Sequence, residues 1–156
     1  MSRRRADFTL ESQLCFALHA ASRAMSGRYR PLLAEIGLTY SQYLVMLVLW
    51  EDRTATVGEL GRRLHLDSAT LSPLLRRLEG QGLVQRARRS GDERVVDIGL
   101  TEEGRQLREA TAAVQARVEL ATGLTRTQLL ALRDDLNRLG AALRDEDSPV
   151  EDARTA

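Results

Sequence analysis

Residues 83–100, LVQRARRSGDERVVDIGL, change the period of the chain, and that change limits its possible folds more than any other feature. On either side, apolar residues recur every three or four positions, as on one face of a helix. Here two extended runs flank RSGDE, whose Ser-Gly-Asp is a turn signal. One β-hairpin with an arginine-rich tip is therefore set into an otherwise helical chain.

Upstream, Leu10, Leu14, Ala17, Leu18, Ala21, Met25, Leu32 and Ile36 mark a long amphipathic helix. Pro31 is expected to kink or break it near residues 29–31, and Gly37 to end it. Ser41 is placed to cap a second helix containing YLVMLVLW (43–50), where leucine and methionine favour helix over buried strand. TVGELGRRLHL (56–66) opens on a Thr56 N-cap, with Glu59 completing a capping box. DSATLSPLLRRLEGQGLV (67–84) starts from Asp67 or Ser68, with Leu71, Leu74, Leu75 and Leu78 as its buried stripe and Gly80 and Gly82 at its exit. Pro73 costs one backbone bond early in that helix. After the hairpin, helical spacing resumes from a Thr101 cap and again in TRTQLLALRDDLNRLGAAL.

The order is four helices, a hairpin and two helices: a mainly α chain with a small β-hairpin wing. A helix pair followed by a basic hairpin reads as a winged helix-turn-helix. The first helix and the last two fall outside that unit, and a second copy of the chain is the simplest partner for their apolar stripes. The expected organisation is an N-terminal helix (8–40), a winged core (41–100), C-terminal dimerisation helices (101–145) and a disordered acidic tail (146–156).

All 23 basic residues are arginine, and they are unevenly spread. Residues 53–94 hold nine Arg against five acids, whereas residues 101–156 hold eight against eleven. Such asymmetry directs the middle of the chain at a polyanion. The second helix of a helix-turn-helix enters the major groove with its N-terminal residues at base edges. Those residues here are Ser68, Ala69, Thr70 and Ser72, followed by Arg76 and Arg77 one to two turns later. Arg86, Arg88, Arg89 and Arg94 bracket the hairpin tip, where an arginine can enter a narrow minor groove. Asp92 has no attraction to DNA and is assigned to pin Arg94 or the turn. Arginines that merely solvate a helical adaptor are the competing reading. Arg3, Arg4 and Arg5 form a basic arm that either touches DNA or is a disordered end.

One cysteine, Cys15, excludes an intrachain disulfide scaffold. No apolar run approaches the roughly 18 residues of a membrane span, and MSRRRADFTLES lacks the apolar stretch of a signal peptide. A cytoplasmic protein is expected, where a single thiol stays reduced until something oxidises it. Cys15 sits in LCFALHAASRA and reads first as a small core hydrophobe. Cys15 and His19 share a face at i, i+4, but His65 is the only other His or Cys, too few for a metal site. No cofactor is indicated.

GELGRRLHLDSATLSPLLRRLEGQGLVQRARRSGDERVVDIGLTEEG resembles the winged-helix core of the MarR family of bacterial regulators. LCFALHAASRA, YRPLL and GLTYSQYLVMLVLWE resemble its organic-hydroperoxide-sensing branch, the OhrR repressors, with Cys15, Tyr29 and Tyr40 as the distinguishing residues. The resemblance spans roughly residues 8–145. It implies a homodimer with interlaced terminal helices that grips a palindromic operator in double-stranded DNA. It also implies a peroxide-reactive Cys15 whose thiolate is supported by hydrogen-bond donors. Tyr29, 14 residues along the same helix, lies about 21 Å from Cys15, so an antiparallel crossing of two copies is needed to bring Tyr29 and Tyr40 to the sulfur. His19 departs from the branch, where tyrosine is usual at that position. With no second cysteine, this is the one-cysteine type, whose sulfenic acid is resolved by a small thiol or by overoxidation. The rivals are a MarR-type regulator released by a small aromatic ligand, with Cys15 structural, and a thiol peroxidase.

Overall fold

The computed structural model describes residues 8–89 and 91–144. The expectations for the Arg3–Arg5 arm and for the acidic tail lie outside those residues. The chain divides into two compact units at the Val118/Glu119 boundary.

The first unit begins with a 3-10 turn, Leu10–Ser12, and the helix α1 (Leu14–Ala34). It continues through α2 (Tyr40–Asp52), β1 (Thr54–Thr56), α3 (Val57–Leu64), α4 (Ser68–Gly80), β2 (Val84–Arg89) and β3 (Asp92–Leu100). Most of α5 (Glu102–Ala121) belongs to it as well. The second unit holds the end of α5 and α6 (Arg126–Arg144).

Helix starts follow side chains that can replace the missing backbone partners of the first turn. The cap of α2 is Thr39 and not Ser41. Gln42 N–H donates to Thr39 Oγ1 at 3.3 Å while Thr39 N–H donates to Gln42 Oε1 at 2.9 Å. Ser41 has Leu44 three residues on, which cannot return such a bond. Thr56 and Glu59 make the same reciprocal pair at the start of α3, and Thr125 and Gln128 at the start of α6. Asp67 caps α4.

Pro31 does not break α1, which runs unbroken to Ala34. The proline is exposed while Tyr29 and Leu33 are buried, so the carbonyl of Gly27 that loses its donor can turn to water. The hairpin also gains a strand that the sequence does not announce: three-residue β1 pairs antiparallel with β3 (Thr54↔Gly99, Ala55↔Ile98, Thr56↔Asp97). The sheet order is β1-β3-β2.

One core unites these elements. Leu33, Met46, Leu49, Leu60, Leu71 and Leu75 are fully buried in it, and Val114 and Val118 bring α5 onto the same cluster. Trp50 Nε1–H donates to Gly104 O at 2.8 Å, tying α2 to the first turn of α5. Gly104 is obligatory there, because a Cβ at this position would lie 2.0 Å from Leu83 O. Each unit also has a helical stretch with no fully buried residue. Tyr29 and Leu33 are the buried residues of α1, so its first four turns hold no fully buried residue, and α6 within its own unit has none. Leu14 is 63% exposed and Leu143 75%. No described helix is long and apolar enough to cross a membrane.

Gly104→Ala is expected to cost about 3 kcal/mol or more, because backbone rather than a flexible side chain opposes the new methyl. Gly58→Ala in α3, where a Cβ meets nothing within 4 Å, is expected to be neutral or stabilising by about 0.5 kcal/mol. Urea midpoints of the two variants check the contrast; equal stabilities would contradict it.

Candidate nucleic-acid interface and thiol site

The turn between α3 and α4 is tight. His65 ends α3 in the left-handed region (φ 53°), and Leu66 N–H donates to Gly61 O at 3.0 Å. A Cβ on Gly61 would come within 2.7 Å of Leu66 O, so glycine sets the closeness of the two helices. Asp67 then accepts from Thr70 N–H at 2.7 Å, and this bond holds its carboxyl below the ordinary range. The bond from Thr56 N–H does the same for Glu59.

Leu71, Leu75 and Leu78 bury one face of α4, with Leu74 packed against the core beside them. The opposite side carries exposed Ser68, Thr70, Arg76 and Arg77. Ser72 is half-buried, and its hydroxyl donates to Ser68 O at 2.8 Å. Arg77 borders a surface cleft with Gly37, Thr39, Gln42 and Gln81.

On the wing, Arg88 and Arg94 are exposed. Arg86 reaches back to α4, its Nε 3.2 Å from Glu79 Oε2. Arg89 forks onto Asp97, with Nε at 3.0 Å from Oδ2 and Nη2 at 2.7 Å from Oδ1. Asp92 Oδ1 accepts from the backbone N–H of Arg94 at 3.0 Å, so the carboxylate engages the main chain of the turn. At the far side of the unit, Arg63 pairs with Glu51 at 2.6 Å and with Asp52, joining α3 to the end of α2.

Cys15 is exposed on the uncovered half of α1, with Leu14 and His19 exposed and Phe16 and Leu18 half-buried around it. Tyr29 and Tyr40 are not beside it. Their rings lie 5.5 Å apart, and both meet Tyr43, at 5.2 Å from Tyr29 (stacked) and 6.1 Å from Tyr40 (tilted). Burial raises the Tyr40 phenol above its ordinary value. The structure thus brings Tyr29 and Tyr40 together and leaves Cys15 and His19 at the other end of the same helix. Sequence reasoning missed Tyr43: inside YLVMLVLW it reads as one more core residue, and only its spacing of three from Tyr40 signals a shared face. It also missed Asp97, which carries no motif of its own.

A helix-turn-helix with an arginine-bearing wing defines a DNA-binding transcriptional regulator. Residues 28–111 match the SarA/Rot transcriptional regulator family. The chain is 51% identical over 138 residues to the HTH-type transcriptional regulator TtmR of Methylorubrum extorquens, spanning 88% of this chain and 69% of that protein. It is 46% identical over 134 residues to the organic hydroperoxide resistance transcriptional regulator of Bacillus subtilis, spanning 86% of each. Reduced AbfR bound to DNA matches with a TM-score of 0.69 at 38% identity, over 86% of this chain and 94% of that one. Overoxidised AbfR bound to DNA matches with 0.66, again at 38%, over 85% and 93%. AbfR is a protein of Staphylococcus epidermidis. This chain belongs to the MarR family of transcriptional regulators, on its organic-hydroperoxide-regulator branch. It is a regulator and not an enzyme, which removes the thiol peroxidase reading.

The lowered carboxyls of Asp67 and Glu59 fix a sign for acid sensitivity. Their contribution is complete above the unfolded carboxylate range, about pH 4, and is lost as pH falls through their depressed values. The thermal midpoint is expected to drop on acidification below that range. Asp67→Asn, an equally good cap with no proton to gain, should drop less; a variant as steep as the wild type would exclude this cap as a source of the effect.

Proposed function

We propose that the chain is a homodimeric repressor that holds a palindromic operator when reduced and releases it when an organic hydroperoxide oxidises Cys15. The observation that carries this reading is the position of the thiol: exposed, on a half-helix whose apolar residues are left uncovered by its own core. A second copy covers that face. An antiparallel crossing sets Cys15 of one copy near the Tyr29 and Tyr40 of the other, an arrangement that α1 alone cannot provide. The name of the B. subtilis relative supplies the chemical class of the signal, and the overoxidised form of AbfR shows that relative to be open to oxidation.

In the reaction, the Cys15 sulfur attacks the terminal peroxide oxygen and the O–O bond breaks. The sulfur loses two electrons and becomes a sulfenic acid, and the peroxide leaves as an alcohol after taking up the proton. A small cellular thiol then condenses with the sulfenic acid, forming a mixed disulfide and water. Leu14, Phe16 and Leu18 beside the sulfur suit alkyl and lipid hydroperoxides over hydrogen peroxide. The adduct separates α1 from the tyrosines across the crossing and rotates the two winged units. A dimer reading half-sites about 34 Å apart tolerates little rotation. Ser68, Thr70 and Ser72 face base edges, Arg76, Arg77, Arg86 and Arg88 serve phosphates, and Arg94, set by Asp92, enters the minor groove. His19, one helical turn from Cys15, takes the place that tyrosine holds in the branch. The protein acts in the cytoplasm, where the thiol stays reduced at rest.

Fluorescence anisotropy on promoter DNA tests the switch. Organic hydroperoxide with a small thiol is expected to weaken wild-type binding about ten- to hundredfold and to leave Cys15→Ser bound. Loss of DNA by both proteins, or by neither, removes Cys15 as the sensor; release of Cys15→Ser by a phenolic ligand would establish the ligand-responsive alternative.

A further inference from the structure

The β2–β3 ladder is regular from Val84↔Leu100 to Arg88↔Val96 and then jumps to Arg89↔Asp92. Residues 93–95 therefore span a bulge in the β3 register, and Arg94 is the middle one. A bulge re-aims the side chain it carries, and its angle depends on what holds the strands on its two sides. Here Arg89 stands on the tip side of the bulge and Asp97 on the base side, and the guanidinium fork spans it with two bonds, at 2.7 and 3.0 Å. Ala87, the residue opposite Asp97, is small and leaves that face open.

Asp97 is a firm anchor. It lies on the central strand, paired in register with Thr56 on one side and Ala87 on the other, and its side chain is only 18% exposed. Arg89 is surrounded by acids: Asp97 first, then Glu59 and Asp92, and they raise its affinity for its proton. A phosphate would have to displace a bidentate carboxylate to recruit it.

We propose that Arg89 is a positioning residue of the wing and not a DNA ligand: by gripping Asp97 across the 93–95 bulge, it fixes the direction in which Arg94 is presented to the minor groove. The inference rests on the reading of Arg94 as the wing's DNA contact. Arg89 therefore belongs with Asp97, apart from the arginines at the tip that meet DNA themselves.

The test is operator binding by the full-length reduced protein across a salt series. Arg89→Gln, Arg89→Lys, Asp97→Asn and the Arg89→Gln/Asp97→Asn double variant are measured with and without Arg94→Ala. Arg94→Ala alone is expected to weaken binding and to lower the salt slope by about 1. Arg89→Gln and Asp97→Asn should each weaken binding about three- to tenfold, the double variant no more than either, with the slope kept. Arg89→Lys keeps the charge but loses the fork, and should match Arg89→Gln. On the Arg94→Ala background, none of these changes should matter further. If Asp97→Asn leaves binding unchanged or tightens it while Arg89→Gln lowers the slope by about 1, Arg89 is itself a phosphate ligand and the proposal fails. Equal losses with and without Arg94 would show general damage to the fold and overturn it equally. Wild-type binding by Arg94→Ala would remove the wing contact itself, and the inference with it.

Discussion

The half of α1 that carries Cys15 contributes no fully buried residue to its own chain's core, and the proposed switch depends on that. Apolar area left in water is costly, at about 25 cal/mol for each Å², and a contiguous apolar helix face is the kind of surface that marks an interaction site. Leu14, Leu18 and Met25 share that face, with Leu14 and Met25 exposed, and none of the three belongs to the core of their own chain. In the proposed dimer the thiol sits where two copies meet, and chemistry at the sulfur and packing between copies would then be the same event.

The winged unit answers a different requirement, which is rigidity. Its core runs from Tyr29 in α1 to Val118 in α5, and its elements are tied by specific bonds: Trp50 to Gly104, Gln42 to Gln81 at 3.0 Å, and Gln81 to Gly37 at 2.9 Å. The last two link the start of α2, the end of α4 and the turn after α1. Helix α4, the wing and the tyrosine cluster thus belong to one packed body. In the proposed switch, a shift imposed where α1 enters that body would move α4 as a whole, as a spacing-based mechanism requires.

Much of this was legible in the sequence because local chemistry dictated it. The Thr56–Glu59 capping box, the Asp67 cap, the Leu71/Leu75/Leu78 stripe and the hairpin around Gly91 each carry a local signature. The helix-turn-helix and its arginine-bearing wing followed from the same signals, since helix order and arginine placement are both linear features. What escaped was non-local. Three-residue β1 is too short to show a period and exists because β3 offers it an edge. Pro31 is tolerated because its exposed side faces water while Tyr29 and Leu33 are held from the other. Tyr43 joins Tyr29 only after α1 and α2 pack, and Asp97 acquires its role only through a register jump no alternation pattern encodes.

The claim on which the account turns is that Cys15 works with the tyrosines of a second copy. A mixed dimer of Cys15→Ser and Tyr29→Phe/Tyr40→Phe subunits tests it most directly, with the rate of Cys15 oxidation by cumene hydroperoxide as the readout. In that dimer the one remaining cysteine faces the one intact pair of tyrosine hydroxyls, if the site is built across the two copies. The account predicts oxidation at the wild-type rate per thiol. Oxidation as slow as in the Tyr29→Phe/Tyr40→Phe homodimer would place the tyrosines' effect within a single chain and contradict it.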